Sequence, residues 1–495
     1  MASLLQRRGA GALLALLAGA LTTLTFAPFN LWGLGPVALA AFYVALQNIG
    51  LRQALWRGWL AGVGLFGSGA SWVYVSIHDY GNTGGVLAAA LTILFIVVMA
   101  LFIMLPALLY RFCAASRLDI PAFAGAWALS EAFRSWAFTG FPWLFLGSAH
   151  VDSPLAALAP LGGVYLVSLV VALSGALLAR ALLSRRWRLF APLAALWLIP
   201  LTLPTQWARP TDDELTVSLV QGDLAQLSKW TPDGQRDAVN TYFRLTRQHG
   251  LDSDLVIWPE TALPMLEQQA MPLLQRVQST LPADSTLMTG IMQRDQRGTF
   301  YNSMIALGDQ PGQYRKEHLV PFGEYLPLES LLGGVLRIFN IPMGNIGAGS
   351  DDQAPLRAGG LRLGVAICYE IVYPDLVRQR AENANALVTI SNDTWFGHSI
   401  GPLQHMQMAQ LRALENNRYL LRATNNGMTA IVGPNGHILA RAPRFEPAVL
   451  NGTIQPMEGL TPFTRTGSWP ALLLALIMLL GGGILRTRHR DSNAP

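Results

Sequence analysis

Charge is almost missing from residues 9–204 of this chain, returns at ordinary density over 205–468, and disappears again over 469–485. Runs of that length without charge cannot form the surface of a water-soluble domain and must be covered by something apolar. Over all 495 residues charged side chains make up 13%, against about 25% in soluble globular proteins. The chain reads as a membrane protein carrying one water-soluble insert.

A helix needs about 20 apolar residues to cross the hydrocarbon. Candidate spans fall near 9–27, 31–49, 55–76, 85–110, 121–138, 159–183, 189–205 and 468–486. Arginines mark alternate ends: Arg7 and Arg8, Arg52 and Arg57, Arg111 and Arg117, Arg180, Arg185, Arg186 and Arg188, then Arg486, Arg488 and Arg490. The intervening loops, around Asn30, His78–Tyr80 and His150–Asp152, carry almost no positive charge. The positive-inside rule puts both termini in the cytoplasm, which requires an even number of spans. Eight are expected, with residues 206–467 on the far side and domains at 1–205, 206–467 and 468–495. The fifth span holds Glu131 and Arg134, three apart on one helical face. They read either as an intramembrane functional pair or as an ion pair near the helix end. The first segment resembles a signal peptide ending near Thr25-Phe26-Ala27, but the next span follows at once, so an uncleaved anchor is expected.

The net charge of +5 comes from arginines in short loops, and no basic patch is interleaved with aromatics, so no nucleic-acid partner is expected. Cys113 and Cys368 would lie on opposite sides of the membrane, which excludes a disulfide between them. Within the insert, short apolar runs predict strands at 215–221, 254–258, 286–292, 301–307, 361–368, 386–391 and 428–432, and helices at 235–249 and 402–417. Pro434-Asn435-Gly436 predicts a tight turn, and 205–214 and 456–466 read as linkers. No internal repeat stands out, and interspersed strands and helices suggest a layered α/β domain.

Three side chains sit near the ends of strand-like runs. Cys368 closes Leu361–Ile367 and is either a nucleophile that accepts acyl groups as thioesters or a small buried hydrophobe. Glu260 closes Asp254–Pro259 and is either a general base in an apolar pocket or a capping or surface glutamate. Lys316 is either an ammonium aimed at a developing oxyanion or a solvated lysine. His398 and His405 lie seven apart without a convergent ligand set, so no metal and no cofactor is expected.

Taken together, Trp258-Pro259-Glu260, then Lys316 with Val320-Pro321-Phe322-Gly323-Glu324, then Cys368-Tyr369-Glu370 is similar to the Glu-Lys-Cys signature of the nitrilase superfamily. The likeness covers the whole insert, and the flanking spans make the full architecture resemble the apolipoprotein N-acyltransferase family. That resemblance implies a multi-pass α-helical membrane domain of eight transmembrane helices plus a periplasmic α/β nitrilase-like domain, an α-β-β-α sandwich, in a bacterial inner membrane. It implies catalysis by Glu260, Lys316 and Cys368, with Glu324 orienting the lysine, Tyr369 supplying a second oxyanion N–H, and Glu370 and Trp230 supporting the site. Trp395 and Phe396 read as a lid over the acyl chain, as core packing, or as membrane anchors. The implied reaction moves an acyl chain from a phospholipid, phosphatidylethanolamine on the resemblance alone, through a Cys368 thioester to the N-terminal amine of a diacylated apolipoprotein. A monomer is the default. Two other classes stay open: a membrane-tethered amidase in which water resolves the thioester, and a transporter with an accessory domain, which the sparse intramembrane charge disfavours.

Overall fold

The structure, a computed structural model, describes residues 8–113, 116, 118–325 and 346–491. Arg7 and Arg117 fall outside them, as do the side chains of Arg8, Arg486, Arg488 and Arg490. The chain divides into two compact units: Met1–His78, Thr83–Thr205 and Thr466–Pro495 form one, and Asp79–Asn82 with Gln206–Arg465 the other.

In the first unit a helix falls in each apolar run, at Arg8–Thr23, Leu34–Ala45, Leu51–Gly69, Gly85–Cys113, Asp119–Arg134, Ala159–Ser184, Phe190–Leu198 and Trp469–Asp491. By length and composition, Gly85–Cys113 and Pro154–Ser184 suffice to cross a membrane; Leu51–Gly69 and Val73–Tyr80 do so only together, bent by 61°. Leu34–Ala45 has 12 residues, a rise of about 18 Å against a hydrocarbon core of about 30 Å. Where a helix is shorter than its apolar run, a turn consumes the end of the run. After Thr23, for example, the amides of Leu24, Thr25 and Phe26 fold back on the carbonyls of Leu21, Thr22 and Thr23.

Lipid-facing helices gain nothing from hydrophobic burial against each other, so small residues that let backbones approach carry the packing. A Cβ on Gly19 would lie 1.8 Å from the carbonyl oxygen of Ala61, and one on Gly125 2.3 Å from that of Ala475. Polar groups are tied off internally. Tyr43 donates to Asp119 at 2.6 Å, and Arg180 donates to Tyr43 at 2.7 Å and pairs with Asp119. Glu131 accepts from Trp127 Nε1 (2.9 Å) and Leu146 N (2.8 Å), while Arg134 donates to the carbonyls of Phe141 and Trp143. Both residues thus anchor the irregular 141–146 segment to their helix.

The second unit contains two six-stranded sheets. One runs β13-β2-β3-β4-β5-β6, with β2 Leu215–Gln221, β3 Leu255–Ile257, β4 Thr286–Arg294, β5 Phe300–Leu307, β6 Gly312–Arg315 and β13 Ala448–Ile454. The other runs β12-β11-β10-β9-β8-β7, with β7 Leu356–Ala358, β8 Leu361–Ile367, β9 Ala386–Ser391, β10 Leu420–Thr424, β11 Ala430–Val432 and β12 Ile438–Arg441. In each, three parallel strands (β2, β3, β4; β8, β9, β10) are followed by two antiparallel ones, and a further antiparallel strand (β13; β7) closes the other edge. No repeat is legible in the sequence, yet the topology repeats.

Strand periodicity of two explains the layers. Leu215, Val217 and Leu219 of β2 and Leu255 and Ile257 of β3 share one buried cluster with Leu361, Leu363, Val365 and Ile367 of β8 and Val388 and Ile390 of β9. The intervening Val220, Val256, Leu287 and Ile291 pack on Ala238, Tyr242 and Leu245 of helix Pro232–His249 and on Leu274 and Val277 of helix Glu267–Gln278. Beyond the second sheet lie helices Pro374–Glu382 and Gly401–Asn416, the first so close that a Cβ on Gly364 of β8 would meet the Arg380 carbonyl at 2.7 Å. The layers are helix, sheet, sheet, helix.

Two expectations change. The stretches read as linkers are ordered: Arg209–Pro210 (β1) pairs with Met457–Glu458 (β14), and Trp207 and Ala208 donate to Asn417 Oδ1. Phe463 is fully buried. Their prolines and glycines hid a short ribbon that no apolar alternation announces. The strands β6, β7, β10 and β13 and the helices 267–278 and 374–382 are also beyond the sequence reading, being short, broken by charge or, in β13, broken by Asn451-Gly452, whereas β12 is the strand expected after the Pro434–Gly436 turn. The turn at Pro434–Gly436 joins β11 to β12, with Gly436 at φ 81° and its N–H on the Gly433 carbonyl.

Gly290 of β4 holds the turn after β3 by backbone alone: its N–H reaches Pro259 O and its carbonyl accepts from Ala262 N. A Cβ there would lie 2.6 Å from Glu260 Cα and 2.7 Å from Pro259 O. We expect Gly290→Ala to cost about 1–3 kcal/mol by overpacking, read as a lowered melting midpoint of the full chain in detergent. An unchanged midpoint would mean that this turn yields freely.

Candidate active site

The carboxyl ends of the parallel strands bring together the side chains picked out above. After β3 the chain turns at Thr261, φ 48°, and leaves Glu260 buried. After β8 it turns at Cys368 itself, φ 54°, into a single 3₁₀ turn, Cys368–Val372. A left-handed conformation is uncommon for a residue with a Cβ, and its occurrence at a strand end lifts the side chain out of the strand's path. Lys316 follows β6 directly, its N–H on the Asn302 carbonyl of β5 at 2.8 Å. Glu324 ends a turn in which its N–H reaches the Val320 carbonyl and its Oε2 accepts from Val320 N at 2.8 Å.

Lys316 is 1% exposed, with Nζ 2.9 Å from Glu324 Oε1 and 3.7 Å from Glu260 Oε1. Asn302 Nδ2 bridges the same two oxygens, at 2.7 Å to Glu260 and 3.0 Å to Glu324. Glu260 Oε2 accepts the Asn392 N–H at 2.8 Å. Burial works against the Lys316 ammonium, but Glu324 and Glu260, with Cys368 and Glu370 behind them, reverse it and hold its pKa well above the ordinary lysine range. Burial and then the Glu260 charge push the Cys368 thiol above its ordinary 9.0, while Lys316 pulls the other way. The thiol is therefore neutral at rest, beside a cation and a carboxylate.

Glu370 is fully buried and gathers donors from four directions: Tyr314 OH, Glu317 N and His318 N on Oε1, and Ile367 N on Oε2 at 2.6 Å. Burial raises its pKa to about 7, opposed by these N–H groups and by Lys316. It ties the segment after Lys316 to the strand before Cys368, which makes it a positioning group. Tyr369 is nearly buried, its ring edge-on to Tyr373 at 5.3 Å. Trp230 (41% exposed) and Trp395 (39%) stand at the surface, and the Phe396 ring lies 6.1 Å from His405.

The sequence reading missed the polar groups that stand behind Cys368. Ser391 Oγ is 3.3 Å from Cys368 Sγ and 2.7 Å from Asp393 Oδ1. Arg422 Nη2 donates to Asp393 Oδ2 at 2.8 Å, and His405 Nδ1 lies 3.1 Å from Asp393 Oδ1. His405 Nε2 is 3.1 Å from the Cys368 carbonyl, and since a carbonyl only accepts, that nitrogen carries a proton. Burial would raise the Asp393 pKa, but Arg422 and His405 hold it well below the carboxylate range. His405 was weighed only as a metal ligand; the available signal was Arg422, a charge inside the apolar run Leu420–Thr424. Among the described residues no group of three His, Cys, Asp or Glu could hold a metal ion.

Residues 18–177 match the family model for the apolipoprotein N-acyltransferase N-terminal domain, and residues 216–461 match that for carbon-nitrogen hydrolase. The chain is 44% identical to the apolipoprotein N-acyltransferase of Pseudomonas syringae pv. tomato, across 97% of each chain. It is 45% identical to that of Azotobacter vinelandii, across 97% of this chain and 95% of the other, and 39% identical to that of Coxiella burnetii, across 94% and 98%. An α-β-β-α unit that gathers a glutamate, a lysine and a cysteine, in a chain that also has an apolar helical unit, agrees with both matches: the chain belongs to the apolipoprotein N-acyltransferase family.

Proposed function

We propose that this acyltransferase works in two half-reactions on one cysteine. Glu260 takes the proton from Cys368 Sγ, and the thiolate attacks an ester carbonyl of a phospholipid, phosphatidylethanolamine on the family resemblance. Lys316 and the Tyr369 N–H hold the resulting oxyanion. As the tetrahedral species collapses, the glycerol oxygen takes the proton from Glu260 and leaves as lysophospholipid, with the acyl chain now a thioester on Cys368. The free N-terminal amine of a diacylglyceryl-cysteine apolipoprotein then attacks that thioester. Its proton passes to Glu260 and on to the departing sulfur, which restores the thiol.

The observation that supports this reading best is the Lys316 ammonium, buried and held between Glu324 and Glu260, which share its charge. Glu324 fixes the lysine at Oε1 of Glu260, so that Oε2, which accepts one N–H from Asn392, keeps its other lone pair for proton transfer. Glu370 and Trp230 support the site, and Trp395 and Phe396 border it as a lid over the acyl chain. On this proposal residues 1–205 form seven spans and 468–495 the eighth with a cytoplasmic tail, both termini in the cytoplasm of a bacterial inner membrane. Residues 206–467 then form a periplasmic domain, and the enzyme acts as a monomer. Lipid-anchored substrates on both sides of the reaction give a reason for the helical unit, which a soluble substrate would not.

Incubation of the purified chain with phospholipid in detergent, followed by intact mass spectrometry, tests the first half-reaction. We expect a hydroxylamine-labile gain of one acyl chain in the wild type, lost in Cys368→Ala and reduced at least about 100-fold in rate in Lys316→Met, as for removal of an oxyanion donor. An adduct that persists in Cys368→Ala would remove the thioester reading; turnover to free fatty acid with acceptor present would make water the acceptor. The raised thiol pKa adds a pH signature. Iodoacetamide labelling of Cys368 should climb about tenfold per pH unit from 7 to 9, as the thiolate fraction does below its pKa. A plateau near pH 7 would mean a resting thiolate with no need of Glu260 as base.

A further inference from the structure

Lys229 is 2% exposed, and its Nζ is buried with no hydrogen-bond partner among the described residues. An ammonium in that state is costly, because water has been removed and nothing replaces it. Burial lowers its pKa to about 8, and the Glu260 carboxylate opposes the fall, so the side chain lies within electrostatic reach of the candidate base. The turn that carries it is tied to Glu260 through Asn392. Lys316 and Asn302 engage Oε1, whereas Oε2 takes the Asn392 N–H, and Asn392 Nδ2 donates to Gln226 Oε1 on the turn that carries Lys229. That turn also presents Leu227, 73% exposed, and Trp230, 41% exposed. A hidden cation thus shares a short turn with apolar side chains on display, a combination suited to a ligand with an anionic head and a hydrocarbon body.

We propose that Lys229 Nζ binds the phosphodiester of the glycerophospholipid donor and so sets which lipid the site accepts. The proposal rests on the thioester reading above. Of the two substrates only the donor lipid carries a phosphate at its glycerol backbone, a few bonds from the ester that is cleaved. The oxyanion of either half-reaction already has Lys316. A phosphate oxygen would give Lys229 the counter-charge it lacks, and Leu227 and Trp230 would lie along the lipid.

The test compares the full-length wild type with Lys229→Met and Lys229→Arg in detergent, using two donors: a phosphatidyl lipid and a p-nitrophenyl ester of the same fatty acid, which has no phosphate. Loss of a charge-assisted hydrogen bond should raise KM for the phosphatidyl donor in Lys229→Met by about 10-fold or more relative to any change with the p-nitrophenyl ester. Lys229→Arg should recover most of that difference. An equal loss with both donors would overturn the proposal, since Lys229 would then serve the shared acyl chemistry or the fold. So would an unchanged KM for the phosphatidyl donor. The hydroxylamine-labile adduct formed on Cys368 from the p-nitrophenyl ester reports separately on the thioester reading, so failure of one is distinguishable from failure of the other.

Discussion

A lysine ammonium stripped of water is stable only if carboxylates come to it, and in this chain two do: Glu324 at 2.9 Å and Glu260 at 3.7 Å from Lys316 Nζ. The three come from separate parts of one sheet and its loops, after β6, after β3 and in the turn 320–324. Removing the lysine would leave two buried carboxylates with no cation between them, which costs more than the pairs ever contributed. Asn302, bridging both acids from β5, can accept no substitute that lacks its two N–H donors. The packing of the first sheet is therefore answerable to this one ammonium.

The cysteine arrives from the other sheet, and the repeated topology explains how the two halves meet. β3 and β9 hold equivalent middle places among the parallel strands of their sheets, and the residues just past them, Glu260 and Asn392, are joined by the Asn392 N–H. Glu370 makes the second tie, running from the strand before Cys368 to the amides that follow Lys316. With the apolar cluster between the sheets so tightly filled, these two ties set the register of Cys368 against Glu260 and Lys316 at the open strand ends. Asp393, His405 and Arg422 then brace the Cys368 turn from behind through its carbonyl and through Ser391.

How much of this was legible follows from which forces leave a local trace. Short apolar runs gave away β2, β4, β5, β8 and β9, because each buries one or both faces over six or more residues. The ribbon of β1 and β14 has two residues a side, too few for any period to register. Glu260, Lys316, Glu324, Cys368 and Glu370 could be picked out since each sits in a distinctive local phrase at a strand end. Asn302 could not, lying in an ordinary strand and owing its place to partners 22 and 42 residues away. Lys229 is the hardest case: in sequence it looks like a solvated lysine in a polar turn, and only its burial without a partner distinguishes it. In the helical unit, apolar length located the eight main helices but overstated several, Leu34–Ala45 and Phe190–Leu198 above all, since residues in turns between helices are as apolar as those within them.

The charge count of the site bears on why the thiol rests protonated. Glu260 and Glu324 already face the single Lys316 ammonium, so a resting thiolate would add a third negative charge to a dry pocket; burial and Glu260 hold the thiol up for that reason. On the proposed mechanism, proton transfer to Glu260 and attack on the ester do not change the total. The charge given up by the carboxylate reappears on the oxyanion, beside the same Lys316. Negative charge moves a short distance across a fixed cation instead of being created, so little of the surrounding polar framework has to reorganise during the step. That economy holds only while water stays out. A lipid whose phosphate engages Lys229 and whose chains lie along Leu227 and Trp230 would itself help to exclude it, so that the donor's binding and the thiol's activation become parts of one event.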